Sequence, residues 1–490
     1  EYLKNLEQRF ASYDGFGDVL IMQSNGGVAP IEDSRRLAVR AILSGPAGGV
    51  NGAAAYGQMV DANRIIAFDM GGTSTDISLI EDAIPHLTSE KFEAGWKIAV
   101  PMIDIHTMGA GGGSIASVGS GGIMQVGPES AGADPGPACY AKNGTQATVT
   151  DANIALGYLD PANFLGGAAS IDKNLAEKAI EENVATPLGL SMIDAAAGIS
   201  RVVSTAIAEG IRLMSVQRGV DPRRFAMMAF GGAAGLHASS VARELRVERV
   251  IVPSAAPVLS AQGMLSTDLK YDYSRSLPAS LNEIDLTAVR GLISEMESEG
   301  RSKLTSQGVT ESQTEVFVSA DMRYLDQIYE VNVPIPALDQ ASEVVLEKWA
   351  ENFHRRYQEL YSYNQSTQEV RLVTLRVSVT GLLPRLDPPK KTSSGTVSDA
   401  TKGSRRVFLN GWKDVPIYDM EALPTGAVID GPSILESDFT TVLVEPGDKA
   451  SVDPYGGVDL LVALPAEAPA YNLDAEVSPP DPITLAVVEH

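Results

Sequence analysis

Two aspartates, two glycines and three hydroxyl residues fall within eight positions, Asp69-Met70-Gly71-Gly72-Thr73-Ser74-Thr75-Asp76. Each type offers something to a phosphate group or to its counter-ion. Gly71 and Gly72 carry no Cβ, so an anion can come close to main-chain N–H groups there. Thr73, Ser74 and Thr75 add hydroxyl donors beside those amides. Asp69 and Asp76, at the ends, are suited to hold Mg²⁺ directly or through water, because that hard cation takes oxygen ligands. Apolar runs at 65–68 and 77–80 flank the loop and predict a hairpin of two buried strands. The same spacing also suits a glycine hairpin with incidental polar residues.

Two further stretches carry candidate chemistry. Asp104 and His106 stand two apart on an apparently extended segment that leads into Gly109–Gly113. Residues so spaced share a face, so the pair suits metal ligation or a histidine oriented by a carboxylate. A structural histidine at a loop is the alternative. An apolar run at 225–230 predicts a buried strand ending in Gly231-Gly232-Ala233-Ala234-Gly235, with a helix after it. Strand, glycine turn and helix together bring backbone close to a nucleotide. His237, near the start of that helix, faces the site or caps the helix. Cys139 is the only cysteine and has no histidine near it in sequence, so it reads as a small buried hydrophobe.

The elements that must position these residues belong to a chain of 490 residues, long enough for roughly three domains. Its 62 acidic against 38 Lys and Arg residues give a net charge of −24, spread along the chain without an acidic tail. That balance argues against nucleic acid as a partner but not against ATP, which needs only local donors. The single cysteine excludes an intrachain disulfide and suits a reducing compartment. No uninterrupted apolar run reaches the length of a membrane span, and no signal peptide is evident, so a cytoplasmic protein without membrane contact is expected.

Along the chain, helical spacing at 1–13 is followed by a strand at 18–22 ending in QSNGG. SGPAGGV at 44–50 reads as a loop opening a helix, with proline just inside its start. Thr150 or Asp151 is a candidate N-cap. A long helix is predicted at 191–219. A composition shift near 270–285 precedes a helix (286–307), two strands (315–323 and 327–335), a helix (341–361) and a strand (369–382). Residues 387–404 read as a polar linker and 405–466 as a small β domain with no catalytic constellation.

DMGGTSTD resembles the second phosphate motif of the actin, sugar-kinase and heat-shock ATPase superfamily. In the form GGTSTD it resembles the hydantoinase A / 5-oxoprolinase family specifically. QSNGG, SGPAGGV, DIHTMGAGGGS and TVTDAN extend that resemblance, as do ADMRYLDQIYEVNVP and FHRRYQELYSY. Asp326 stands where the family pattern has glycine, which puts the shape of that turn in doubt. The resemblance implies an α/β fold: a ribonuclease H-like ATPase core (1–270), an α+β region (271–386), a linker (387–404) and a small C-terminal β domain (405–466). SPPDPITLAVVEH, in 467–490, is similar to the opening of the hydantoinase B partner family, which implies a fused two-part enzyme.

The implied function is the nucleotide-binding half of an ATP-dependent hydrolase of cyclic amides, with 5-oxoproline as the leading substrate. By resemblance ATP phosphorylates the amide oxygen, so that water can open the ring. Gly71, Gly72, Thr73, Ser74, Thr75, Gly231, Gly232 and Gly235 would hold the nucleotide. Asp69 and Asp76 would hold Mg²⁺, and Asp104 and His106 would serve the reacting end. A hydantoinase B-like domain or subunit and an oligomeric state are expected. The first phosphate motif of such enzymes, of the form DIGGTFTD, is absent, so this stretch alone is expected to be catalytically incomplete. The alternatives are the nucleotide-binding subunit of a biotin-independent ketone carboxylase, and a kinase-like or ATP-gated binding protein.

Overall fold

In the computed structural model the two apolar runs form the strands Ile65–Met70 and Thr75–Glu81, paired antiparallel with Asp69 opposite Asp76. The structure describes residues 2–13, 18–89, 91–93, 95–335, 343–385, 388–392 and 395–466. The hairpin sits inside a nine-stranded sheet. Its order runs Ile105–Met108, Thr75–Glu81, Ile65–Met70, Ala226–Phe230, Arg249–Val252, Val458–Leu461, Lys449–Val452 and Val428–Asp430, and Ile84–Pro85 pairs beside Thr75–Glu81. Ile65–Met70, Ala226–Phe230 and Arg249–Val252 are parallel to one another, and the flanking strands are antiparallel. The result is a mixed α/β fold. All five residues of Ala226–Phe230 are buried, which explains an unbroken apolar run with no alternation.

The long helix Met192–Gln217 starts where Ser191 accepts from the N–H of Asp194, close to the predicted limit. Gly210 lies under Met108 Sδ and Ile77, where a Cβ would sit 2.9 Å from the sulfur. The helix thus packs on the sheet face that carries Ile77 and Met108.

Three expectations change. SGPAGGV is not a loop: Ser44–Met59 is helical from its first residue. A Cβ on Gly48, Gly49 or Gly52 would lie within 3 Å of Ser260 or Leu259, so these glycines let two helices approach. The N-cap near residue 150 is Thr148, in a capping box with Asp151 at the third helical position. And the composition shift near 270 falls on a strand, Leu269–Ser280. That strand joins a six-stranded sheet with Leu20–Met22 and Val28–Pro30 from the start of the chain.

The C-terminal strands are divided in the same way. Thr401–Phe408, Trp412–Asp419, Ser433–Glu436 and Thr441–Val444 make a four-stranded sheet, whereas Val428–Asp430, Lys449–Val452 and Val458–Leu461 extend the core sheet. The sheets therefore mix segments far apart in sequence, and the expected succession of sequential units is not how the strands are grouped. The hydantoinase B-like stretch at 467–490 lies outside the described residues.

Candidate functional site

The turn of the hairpin is Gly71-Gly72-Thr73-Ser74, closed by the Gly71 N–H donating to the Ser74 carbonyl at 3.1 Å. Its carbonyls are taken by a second glycine run. Gly112 N–H donates to Gly71 O at 3.0 Å and Gly113 N–H to Gly72 O at 2.5 Å. Thr150 secures that run in turn, its N–H and hydroxyl both donating to Gly112 O at 2.7 and 2.8 Å. Among the described residues the N–H groups of Gly72, Thr73 and Ser74 have no protein acceptor, and all three residues reach the surface. Clamped carbonyls at Gly71 and Gly72 beside amides without a protein acceptor suit an anion.

A cavity of about 260 Å³ opens beside this turn. Gly71, Gly72 and Gly112 form one wall, and Gly232 and Ala233, at the end of Ala226–Phe230, form another. The two glycine motifs, 160 positions apart in sequence, thus meet at one cavity. Leu159, Phe164, Leu236 and Phe439 supply apolar surface. The stretch Glu436–Thr441 closes the far side. No expectation placed that stretch here, because nothing in ESDFTT as a sequence marks it as more than a turn.

Asp69 and Asp76 face each other across the strand pair. Burial, and then the neighbouring Asp76 charge, push the Asp69 carboxyl up to about 6, with a Ser260 hydrogen bond acting the other way. Burial also raises Asp76, against a hydrogen bond from Thr107 and the charge of Lys91. The Thr107 hydroxyl donates to Asp76 Oδ1 at 2.6 Å. Two carboxylates with little positive charge near Asp69 are a donor set that fits a hard divalent cation. Among the described residues no cluster of three or more His, Cys, Asp or Glu side chains is present. A cation here would complete its shell with water and phosphate oxygens, as Mg²⁺ commonly does.

Other predicted site residues have structural work. Thr75 is fully buried and its hydroxyl donates to Ala110 O, a second tie between the two glycine runs. Gly231 has φ +83°, and a Cβ there would lie 2.5 Å from Asp69 Oδ1. It makes room for the carboxylate and does not line the cavity. Gly235 lets its helix approach the Thr441 carbonyl, 2.5 Å from a Cβ position. Asp104 and His106 do not form a pair. Asp104 precedes the strand Ile105–Met108, and its carboxylate pairs with Arg218 at the end of the long helix. His106 lies opposite Ile77, one residue out of step with Thr107 and Asp76, so it occupies the other face of the sheet. Burial, with Lys91 nearby, lowers its pKa.

His237 neither caps its helix nor reaches the surface. It is fully buried between Asn153 and Ser204. Cys139 is buried too. Burial and Asp151 raise its thiol pKa well above the usual range, which suits a packing residue.

Residues 1–273 match the family model described as Hydantoinase/oxoprolinase, and residues 283–460 match the Hydantoinase/oxoprolinase C-terminal domain. The chain is 37% identical to caprolactamase subunit alpha of Pseudomonas jessenii, over 94% of this chain and 67% of that one. It superposes on the crystal structure of the ATP-dependent caprolactamase from that organism with a TM-score of 0.85 at 36% identity, covering 94% of this chain and 67% of that one. It is 32% identical to the acetophenone carboxylase gamma subunit of Aromatoleum aromaticum, over 94% of this chain and 64% of that one. Against 5-oxoprolinase 1 of Arabidopsis thaliana the figures are 31%, 94% and 37%. The chain thus spans about two thirds of the subunit-type relatives and much less of the plant protein. Among the described residues no single helix is long and apolar enough to cross a membrane.

Proposed function

The chain belongs to the hydantoinase/oxoprolinase family, and from that premise we propose that it is the nucleotide-binding part of an ATP-dependent enzyme that opens cyclic amides. The observation that carries this is the convergence of Gly71, Gly72 and Gly232 on one cavity, beside a turn whose Gly72, Thr73 and Ser74 amides have no acceptor among the described residues. The parallel strands beside an antiparallel hairpin are the arrangement expected of a ribonuclease H-like ATPase core.

In this reading the N–H groups of Gly72, Thr73 and Ser74 bind phosphate oxygens, and the apolar walls enclose the base. Asp69 and Asp76 hold Mg²⁺, which supplies positive charge against the phosphates. The lactam oxygen takes the γ-phosphoryl group and ADP departs. Water then adds to the activated carbon and the ring C–N bond breaks, with the ring nitrogen taking a proton, which leaves an acyl phosphate. A second water adds to that acyl carbon, phosphate leaves and a carboxylate remains. Asp104 and His106 are left out of the reacting centre, since one is paired to Arg218 and the other lies on the far sheet face. A hydantoinase B-like partner is proposed to supply what this part lacks.

The test uses the full-length protein together with any partner subunit. ATP hydrolysis is followed with 5-oxoproline, caprolactam, hydantoin, and acetone plus bicarbonate, and repeated with Asp76→Ala. Lactam-stimulated hydrolysis that falls by about 100-fold or more in the variant supports the reading, since a lost metal ligand removes several kcal/mol of charge stabilisation. The likeness to a carboxylase subunit favours one second reading, the carboxylation of a ketone. Turnover only with acetone and bicarbonate would establish it in place of the first.

A further inference from the structure

Beside the cavity lies a buried polar chain that binding of phosphate and metal leaves without a role: Ser204, His237 and Asn153. The Ser204 hydroxyl donates its one hydrogen to the Ser200 carbonyl at 2.8 Å. His237 Nδ1, 3.1 Å from Ser204 Oγ, must therefore be the donor in that contact. Burial keeps the imidazole neutral, its pKa pushed down to about 4, so the other ring nitrogen accepts. That nitrogen, Nε2, lies 3.3 Å from Asn153 Nδ2. The amide of Asn153 is thus fixed with its NH₂ toward His237.

The consequence falls on the other end of the amide. Asn153 lines the cavity, is 2% exposed, and its Oδ1 has no protein partner. Thr440, 3% exposed on the opposite segment of the lining, also has a hydroxyl without a partner. A buried acceptor left unpaired is costly, and a ligand that donates to it recovers that cost. The cavity therefore presents a fixed acceptor and a hydroxyl among apolar side chains, which matches a flat ring with a donor next to an acceptor.

We propose that Asn153, locked by His237 and Ser204, reads the edge of the nucleotide base through Oδ1 and selects a 6-amino purine over a 6-oxo purine. The inference rests on the reading of this cavity as the nucleotide site. A carbonyl at the 6-position would set acceptor against acceptor, and the amide cannot turn over without breaking its bond to His237. Asn153 is the reading residue, and His237 is a positioning residue that acts through it.

The test measures binding of MgADP, MgGDP and magnesium pyrophosphate by calorimetry to the full-length protein. The wild type is expected to prefer ADP to GDP by about 10-fold or more, the scale of one buried hydrogen bond gained or opposed. Asn153→Ala should abolish the preference while pyrophosphate still binds. His237→Leu should narrow the preference, because the amide becomes free to turn, and His237→Gln, which keeps one donor and one acceptor, should restore it. A merely structural histidine would weaken all three ligands together. Equal binding of ADP and GDP by the wild type, or an unchanged preference in Asn153→Ala, overturns the base-reading role and leaves the nucleotide site standing. Binding of caprolactam without ADP, lost in Asn153→Ala, would overturn both and give the cavity to the lactam. Should Asn153→Ala fail to fold, Ser204→Ala, which removes the acceptor of His237 Nδ1 and otherwise only a bond to the Ser200 carbonyl of its own helix, carries the expectation of a narrowed preference.

Discussion

Two glycine-rich runs lie against each other in this protein and do opposite things. Gly109–Gly113 is buried or nearly so, and the N–H groups of Gly112 and Gly113 end on the carbonyls of its neighbour. Gly71–Ser74 accepts those bonds and, among the described residues, keeps the N–H groups of Gly72, Thr73 and Ser74 open. Both runs are rich in glycine, but for different reasons. In one, the missing Cβ permits backbone to touch backbone, and in the other it leaves space for something that is not protein. Glycine content alone does not separate a clamp from a binding loop, whereas a count of hydrogen-bonding groups left over does.

The sharpest way to break that contrast is to place a methyl group in each run. At Gly111 a Cβ would stand 2.7 Å from the Thr73 carbonyl carbon and 2.8 Å from Ser74 N, all of it backbone. Gly111→Ala should cost about 3 kcal/mol of stability, the scale of overpacking in a rigid core, read as a lower midpoint in urea. At Gly72 nothing lies within 4 Å of the Cβ position and φ is not in the left-handed region. Gly72→Ala should leave the midpoint within about 1 kcal/mol, or raise it, while weakening phosphate binding. Equal losses of stability at both positions would remove the distinction.

A second prediction concerns charge. Asp69 titrates near 6 in the folded chain, above its ordinary value. The folded state therefore binds the extra proton between about pH 4 and 6, and stability falls as pH rises through that window. Above it, Asp69→Asn should stabilise the metal-free protein by about 1 to 2 kcal/mol, less than the full shift implies because the group is not wholly enclosed. Near pH 4 the two proteins should unfold together. Added Mg²⁺ should raise the melting temperature of the wild type and not of the variant. A variant less stable at pH 8 would mean that the carboxylate is compensated after all.

The smallest effect is expected beside it. Thr107→Val removes the hydrogen bond to Asp76, and should cost about 1 kcal/mol in stability with its hairpin intact. If Asp76 serves only the fold, hydrolysis will follow stability. If it serves the metal, the variant's requirement for Mg²⁺ will shift instead.

Much of the site was legible because local pattern and tertiary role coincide there. The hairpin at 65–80 and the strand before Gly231 are apolar runs stopped by glycine, and no other element competes for them. Glycines 231 and 235 read as ligand contacts and have a packing reason as well, which the sequence does not reveal because a Cβ clash with Asp69 or with the Thr441 carbonyl exists only once the chain is folded. Asp104 stands one residue before the strand Ile105–Met108, where alternation no longer fixes its face, and its ion pair with Arg218 is not encoded in the local spacing. Glu436–Thr441 carried no signal at all. Its polar residues matter through their position across the cavity, which sequence spacing does not encode.

The divided C-terminal strands also bear on how the protein can be made. The strand Arg249–Val252 has one flank covered by Val458–Leu461, which follows it by some two hundred residues. During synthesis that flank remains a bare sheet edge, hydrophobic and able to pair with another chain, until nearly the whole described length has left the ribosome. A truncation after the polar stretch near 400 would make that transient edge permanent. The nucleotide-binding part and its last strands are therefore one unit of production, and should be expressed, cut or shuffled together.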